Sequence, residues 1–358
     1  MSSPRSSRSP DGCDGFRGRY SPAGVRPTFA VRFDLRNPAF AGVSGAERYG
    51  AALAMAEWAD ANGALMVVLS EHHGCDDGYL PSALTMAAAV AARTERVLIQ
   101  VAAVVASLHD PLRLAEEAAV VDLLSGGRLR IVVAAGYVPA EFEMFGAALA
   151  ERGRRVDETV RALRQAWTGE PFEYRGRIVR VTPPPHQPGG PALAVGGSTP
   201  AAARRAARLG ADFMPSVPDV WEHYRAERIA MGEPDPGPGF GVTSSFTFVA
   251  DDVDRAWDTI GPYALHDAAE YGRWAVEGGV AGATGYERAD DVAALREGDH
   301  YRVLTPASLR AELSDSPFPF VMLHPMMGGI PPPAAWESLH LFEREVLGDG
   351  ERGANALG

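Results

Sequence analysis

The 358-residue chain predicts an α/β fold, a single (β/α)8 TIM barrel with insertions after strands 4 and 7. Two observations carry that expectation. From Thr28 onward, short apolar runs alternate with longer stretches of helical periodicity, the pattern of a parallel sheet with crossover helices. Eight such runs can be placed, and barrels with insertions reach this length as one unit.

In chain order, residues 1–27 are rich in Ser, Pro, Gly and Arg without a secretory apolar stretch, and read as a disordered tail. The barrel is expected over 28–348, followed by a second disordered tail over 349–358. Strands are predicted at Phe29 to Asp34, Leu65 to Ser70, Leu98 to Val105, Leu129 to Ala134, Leu193 to Val195, Asp212 to Pro215, Phe240 to Val249 and Phe320 to His324. Helices are predicted at Gly45 to Asn62, Ser82 to Thr94, Pro111 to Leu124, Arg152 to Thr168, Pro200 to Leu209, Val220 to Met231, Asp252 to Leu265 and Pro333 to Val346. The first insertion, Pro171 to Pro191, reads as a strand pair, Phe172 to Tyr174 with Ile178 to Val181. The second, His266 to Pro319, carries Tyr271, Trp274, Tyr286, His300 and Tyr301, with a glycine-rich tip at Gly278 to Gly285. Its two readings are a cover over the barrel mouth and a static appendage.

Composition removes several functions. All 34 basic residues are arginine, so Schiff-base aldolases, pyridoxal-phosphate enzymes and lysine-bearing phosphate loops are excluded. A formal charge of −12 argues against a nucleic-acid partner. No apolar run is long enough to span a bilayer, so no membrane partner is expected. Only Cys13 and Cys75 are present, which speaks against a stapling disulfide and for the cytoplasm.

Active sites of such barrels lie where strands end. The second strand runs into Glu71-His72-His73, then Cys75, Asp76 and Asp77, ionisable groups that would be costly in a core. Capping or an ion-pair network is the plain alternative to catalysis, and a metal set of His72, His73 and Cys75 is the weaker one, because adjacent ligands rarely chelate one ion. The third strand ends on Ala102 and Ala103, small enough to leave room for a flat ligand or simply core packing. His109 and Asp110 before Pro111 read as a helix cap. The fifth strand opens into Gly196-Gly197-Ser198-Thr199-Pro200, a phosphate cradle at a helix start and equally good capping.

In order and spacing, Ser70 to His73, Asp110 to Glu116, Leu124 to Arg128, Gly136-Tyr137, Glu141-Phe142, Gly196 to Pro200, Arg204 to Gly210 and His324 to Gly329 with Trp336 resemble the bacterial-luciferase-like flavin monooxygenase family. The resemblance covers most of Phe29 to Leu347. It implies a flavin at the C-terminal mouth and commonly a homodimer. It places His72 at the flavin, Ala102 and Ala103 behind the ring at a non-prolyl cis peptide, Gly136 and Tyr137 beside it, and Gly196, Gly197, Ser198 and Thr199 at the phosphate. Ala135 stands where luciferases place a phosphate-contacting arginine, which leaves FMN and a deazaflavin as competing cofactors, FMN preferred.

The expected activity is a monooxygenase that receives reduced FMN from a separate flavin reductase and reacts it with oxygen on a small organic substrate. No G-x-G-x-x-G follows a strand, which suits a partner reductase. His72 is the expected acid/base, with Glu71 or Asp77 orienting it or binding substrate. The alternatives are deazaflavin-dependent hydride transfer, a non-catalytic flavin-binding protein, and a metal-dependent hydrolase using Glu71, His72, His73 and Asp77. The preferred reading has no metal.

Overall fold

The computed structural model describes residues 27–239, 246–281 and 289–348. The two expected tails, but for Pro27, therefore lie outside the described residues, as do residues 240–245 of the expected seventh strand and 282–285 of the expected loop tip.

Strand β1 (Thr28–Phe33) is followed by α1 (Gly45–Ala61), β2 (Met66–Leu69), α2 (Ala83–Arg93), β3 (Leu98–Val105), α3 (Pro111–Ser125) and β4 (Leu129–Ala134). Then come α4 (Pro139–Met144), α5 (Arg152–Ala166) and, in the first insertion, an antiparallel hairpin, β5 (Phe172–Tyr174) with β6 (Arg177–Val179). The pattern resumes with β7 (Ala192–Gly197), α6 (Pro200–Arg208), β8 (Asp212–Pro215), α7 (Trp221–Ala230) and β9 (Phe246–Val249). Helix α8 (Val253–Glu277) runs into the second insertion, which holds α9 (Val292–Glu297), β10 (Tyr301–Leu304) and α10 (Pro306–Asp315), before β11 (Phe320–Leu323) and α11 (Pro332–Phe342).

Strands stand at all eight expected places, the seventh described over Phe246–Val249, and with β10 they form a nine-stranded parallel sheet in the order β10-β9-β11-β1-β2-β3-β4-β7-β8. Alternation along β1 explains its layering. Phe29 packs its ring against Trp58 of α1 and Phe342 of α11, so Val31 and Phe33 share the helix-facing core. The opposite face carries Arg32, whose Nε donates to Ser70 Oγ at 3.2 Å, and Asp34 at the strand end.

Two expectations need correction. Helix α8 does not stop at Leu265 but continues to Glu277. The polar pair His266-Asp267 looks like a terminus in the sequence. Buried Ile260, Ala264, Ala268, Tyr271 and Ala275 nevertheless continue one helical face across it. Part of the second insertion is also sheet, since β10 pairs with β9 over four residues from Tyr301↔Phe246 to Leu304↔Val249. The short helices α4, α9 and α10 escape periodicity because six to ten residues complete fewer than three turns.

Candidate active site

The strand ends place three consecutive side chains on different tasks. Glu71 is buried, and its Oε1 accepts from His73 Nε2 and His109 Nε2, each at 2.8 Å, and from the Val105 backbone N–H at 3.4 Å. Burial alone would push the Glu71 carboxyl up, but the hydrogen bonds of His109 and His73 hold it down to about 2. Burial opposes charge on His109 as well, yet Glu71 outweighs it and raises that imidazole. Asp110, by contrast, does cap α3, accepting from the Leu112 and Arg113 backbone N–H groups.

His72 turns away from this group. Its Nδ1 lies 2.8 Å from Glu141 Oε1, the same oxygen that accepts the His73 backbone N–H at 2.8 Å. A carboxylate oxygen only accepts, so Nδ1 carries the hydrogen and Nε2 of the neutral ring presents a lone pair. The ring lies 4.4 Å from Trp274 with 32° between planes, and meets Tyr79, Tyr271 and Tyr137 edge-on. Glu141 is buried on α4, and among the described residues its Oε2 has no hydrogen-bond partner.

The group that orients His72 is thus Glu141, where the sequence offered Glu71 or Asp77. Asp77 belongs to a neighbouring network. Its Oδ2 accepts from Arg36 Nη1 at 2.5 Å and His266 Nε2 at 2.8 Å. Against the upward push of burial, His266 and Arg36 hold Asp77 at about 2. Fully buried Arg36 also pairs with Asp267 at 3.1 Å and lies over the rings of Tyr79, Trp274 and Tyr271 at 4.7, 4.7 and 5.0 Å. Burial raises Asp267 to about 6, offset by Arg36 and by the Tyr301 hydroxyl, which donates to it at 2.8 Å. This network fastens the second half of α8 to the ends of β1 and β2.

At the ends of β3 and β4 the residues are small and half-buried, Ala102, Ala103, Ala134, Ala135 and Gly136, and the ring of Tyr137 lies 6.2 Å from that of His72. The Ala102–Ala103 peptide is cis, as the resemblance implied, and the β3–β4 register shifts between Ala102 and Val104. Gly136 has φ 76°, and a Cβ there would stand 2.6 Å from Val105 Cγ1. Half-buried Tyr137 follows, its carbonyl oxygen packed against Gly278 just beyond α8.

Next to β4 in the sheet, β7 delivers Gly196, Gly197, Ser198 and Thr199 to the start of α6. Thr199 is the N-cap, its Oγ1 accepting from Ala202 N at 3.2 Å, with Pro200 as the first helical residue. A Cβ on Gly197 would stand 2.5 Å from Ala202 Cβ, so strand–helix packing already requires this glycine.

His72 and His73 point apart, so neither metal set considered from the sequence assembles. Among the described residues, the ligand-type atoms that converge are those of Glu71, His73 and His109. The sequence hid Glu141 and His109 because their partners lie 69 and 38 residues away; the one signal for Glu141 was its place in the Gly136 to Phe142 motif.

The family model described as luciferase-like monooxygenase matches residues 31–308. 4-Hydroxyprotoasukamycin monooxygenase of Streptomyces nodosus subsp. asukaensis is 29% identical over 229 residues, 62% of this chain and 54% of that protein. The chain spans about half the length of the curated relatives it matches. Among solved structures, monooxygenase RslO1 from Streptomyces bottropensis superposes with a TM-score of 0.70 at 28% identity, covering 89% of this chain and 98% of that one. The oxygenating constituent of 3,6-diketocamphane monooxygenase from Pseudomonas putida, a type II Baeyer-Villiger enzyme in complex with FMN, shares the fold with a TM-score of 0.69 at 20% identity, covering 90% and 98%. With the matched region reaching from β1 past β10, the chain belongs to the luciferase-like monooxygenase family.

Proposed function

We propose that this protein is the oxygenating component of a two-component monooxygenase, using reduced FMN from a separate flavin reductase and oxygen on a small organic substrate. The observation that carries this reading is His72. It is held through Nδ1 by buried Glu141 and walled by Trp274 and by Tyr137, the residue after Gly136. The donor set fits a flavin. Small residues leave a flat face, unpartnered Glu141 Oε2 suits an N–H or O–H donor, and Gly197, Ser198 and Thr199 offer backbone N–H and hydroxyl groups to a phosphate. FMN would supply the electrons that activate oxygen.

The chain's own residues then do three things. Glu141 keeps the His72 ring in one tautomer, so that Nε2 takes or returns a proton at the reacting centre. Trp274, Tyr271 and Tyr137 exclude water from that centre. The α6 start anchors the cofactor by its phosphate. Ala135, in place of an arginine, keeps deazaflavin-dependent hydride transfer as the second reading.

One unit over 28–348 accounts for these parts. A homodimer is supported by the exposed apolar positions Val120, Leu123 and Leu124 on α3. Among the described residues no helix is long and apolar enough to cross a membrane, and with the low cysteine count this supports a cytoplasmic setting. The test supplies reduced FMN through a reductase and follows oxygen uptake and hydrogen peroxide release over a panel of small organic substrates. The expected result is a substrate that lowers peroxide release in the parent protein and not in His72→Gln. Flavin oxidation unchanged by the protein, with every substrate tried, would contradict the proposal.

A further inference from the structure

We propose that Glu71, His73 and His109 form a binding site for one divalent transition-metal ion of the zinc type, between the ends of β2 and β3. The proposal stands on these residues alone and is independent of the flavin reading. Imidazole nitrogen and carboxylate oxygen are the ligand types of zinc and of two-histidine, one-carboxylate sites. Here one atom of each lies within 4.8 Å of the others.

The three ligand atoms are already gathered by hydrogen bonds. A carboxylate has two oxygens, and two imidazoles that merely needed an acceptor could take one each. Both Nε2 atoms instead point at the single oxygen Oε1, at 2.8 Å. An ion with bonds of about 2.0–2.2 Å to all three atoms takes the place of these two hydrogen bonds, the imidazole rings turning from Oε1 toward it. Glu71 and His73 are fixed by the end of β2, the Val105 N–H of β3 steadies the carboxylate, and the His109 side chain is 26% exposed, which gives the ion a way in. Uptake replaces the two Nε2 hydrogens now directed at Oε1; each moves to Nδ1 of its ring or to solvent. His72 takes no part, since its ring is turned to Glu141.

The experiment titrates tag-free protein with cobalt(II), read by visible absorption, and with zinc(II), read by calorimetry and thermal unfolding. Expected is one equivalent bound to the parent protein and a raised melting temperature. His109→Gln keeps a hydrogen-bond donor near Glu71 but removes the imidazole ligand, and should weaken binding at least tenfold; Glu71→Gln should do the same, while His72→Ala should bind like the parent. Circular dichroism establishes which variants fold, and His73→Gln replaces any that do not. No cobalt or zinc uptake by the folded parent protein, or equal uptake by His109→Gln, overturns the proposal.

Discussion

Two neighbouring stretches of the strand-end rim are built on different principles. On the β2, β4 and α8 side, functional atoms belong to side chains that hold each other: Glu71 with two histidines, Glu141 with a third, Arg36 with two aspartates and three rings. On the β7 and α6 side the groups on offer are backbone N–H and hydroxyl at a helix start, set by glycine packing and one threonine cap. Side chains locked by partners suit a proton that must move at one point. Backbone donors suit a group that only needs anchoring, and they tolerate change in the side chains around them.

The largest test of that contrast removes the moving proton. His72→Gln should lower product formation by about 10²–10⁴-fold, the usual range for a positioned acid or base, with reduced-FMN binding nearly intact. Parent-level turnover would place the acid/base elsewhere. His73→Ala, measured alongside, should fall less, because His73 faces Glu71 rather than the aromatic site.

The next tests the mutual locking by pH. Glu71 is ordinarily near 4.5 and is held at about 2 in the folded chain. It therefore contributes stability that is full above its unfolded value and is lost as pH falls from there toward 2, on the order of 3 kcal/mol. His109, raised in the fold, contributes in the opposite sense: its share is full below its ordinary value and is lost as pH rises through the raised one. In Glu71→Gln, urea unfolding at pH 7 and pH 3 should show a smaller loss on acidification than in the parent protein. An unchanged difference would show that the carboxylate gains nothing from its two histidines.

A smaller effect is expected at the wall. Trp274 is buried on α8 against His72. Trp274→Leu should leave flavin oxidation in place while raising peroxide released per product a few-fold, because water reaches the site. Unchanged coupling would make this half of α8 a structural appendage only. The smallest is at the start of α6. Ser198→Ala should weaken FMN binding by a few-fold at most, by fluorescence titration, because the backbone donors stay; a loss of a hundredfold would mean that the hydroxyl, not the helix start, holds the phosphate. Gly197→Val is a poor probe, since its Cβ would crowd Ala202 whatever the ligand.

How far the sequence reached follows the same division. The Asp110 cap, the Gly196 to Pro200 helix start and the strand runs within the described residues are local signals, carried by period, composition and neighbours in the chain, and they stand at the predicted places to within a few residues. The cis Ala102–Ala103 bond was reachable through the family resemblance and through nothing in the two alanines themselves. What the sequence hid are pairings across the mouth. Glu141 reaches His72 over 69 residues, and Asp77 answers to Arg36 and His266, 41 and 189 residues away. Buried ion pairs of this kind also misled the reading of α8, because His266 and Asp267 resemble a helix end unless Arg36 is known to await them.

The central claim is that reduced FMN and oxygen are the reactants. Its most direct test is an anaerobic titration of the purified protein with reduced FMN and, separately, with a reduced deazaflavin, followed by mixing with oxygen and the substrate found in the screen. The account predicts saturable binding of reduced FMN and one oxygen consumed per product formed. Saturable binding of the deazaflavin alone, with turnover that persists when oxygen is removed, would contradict it.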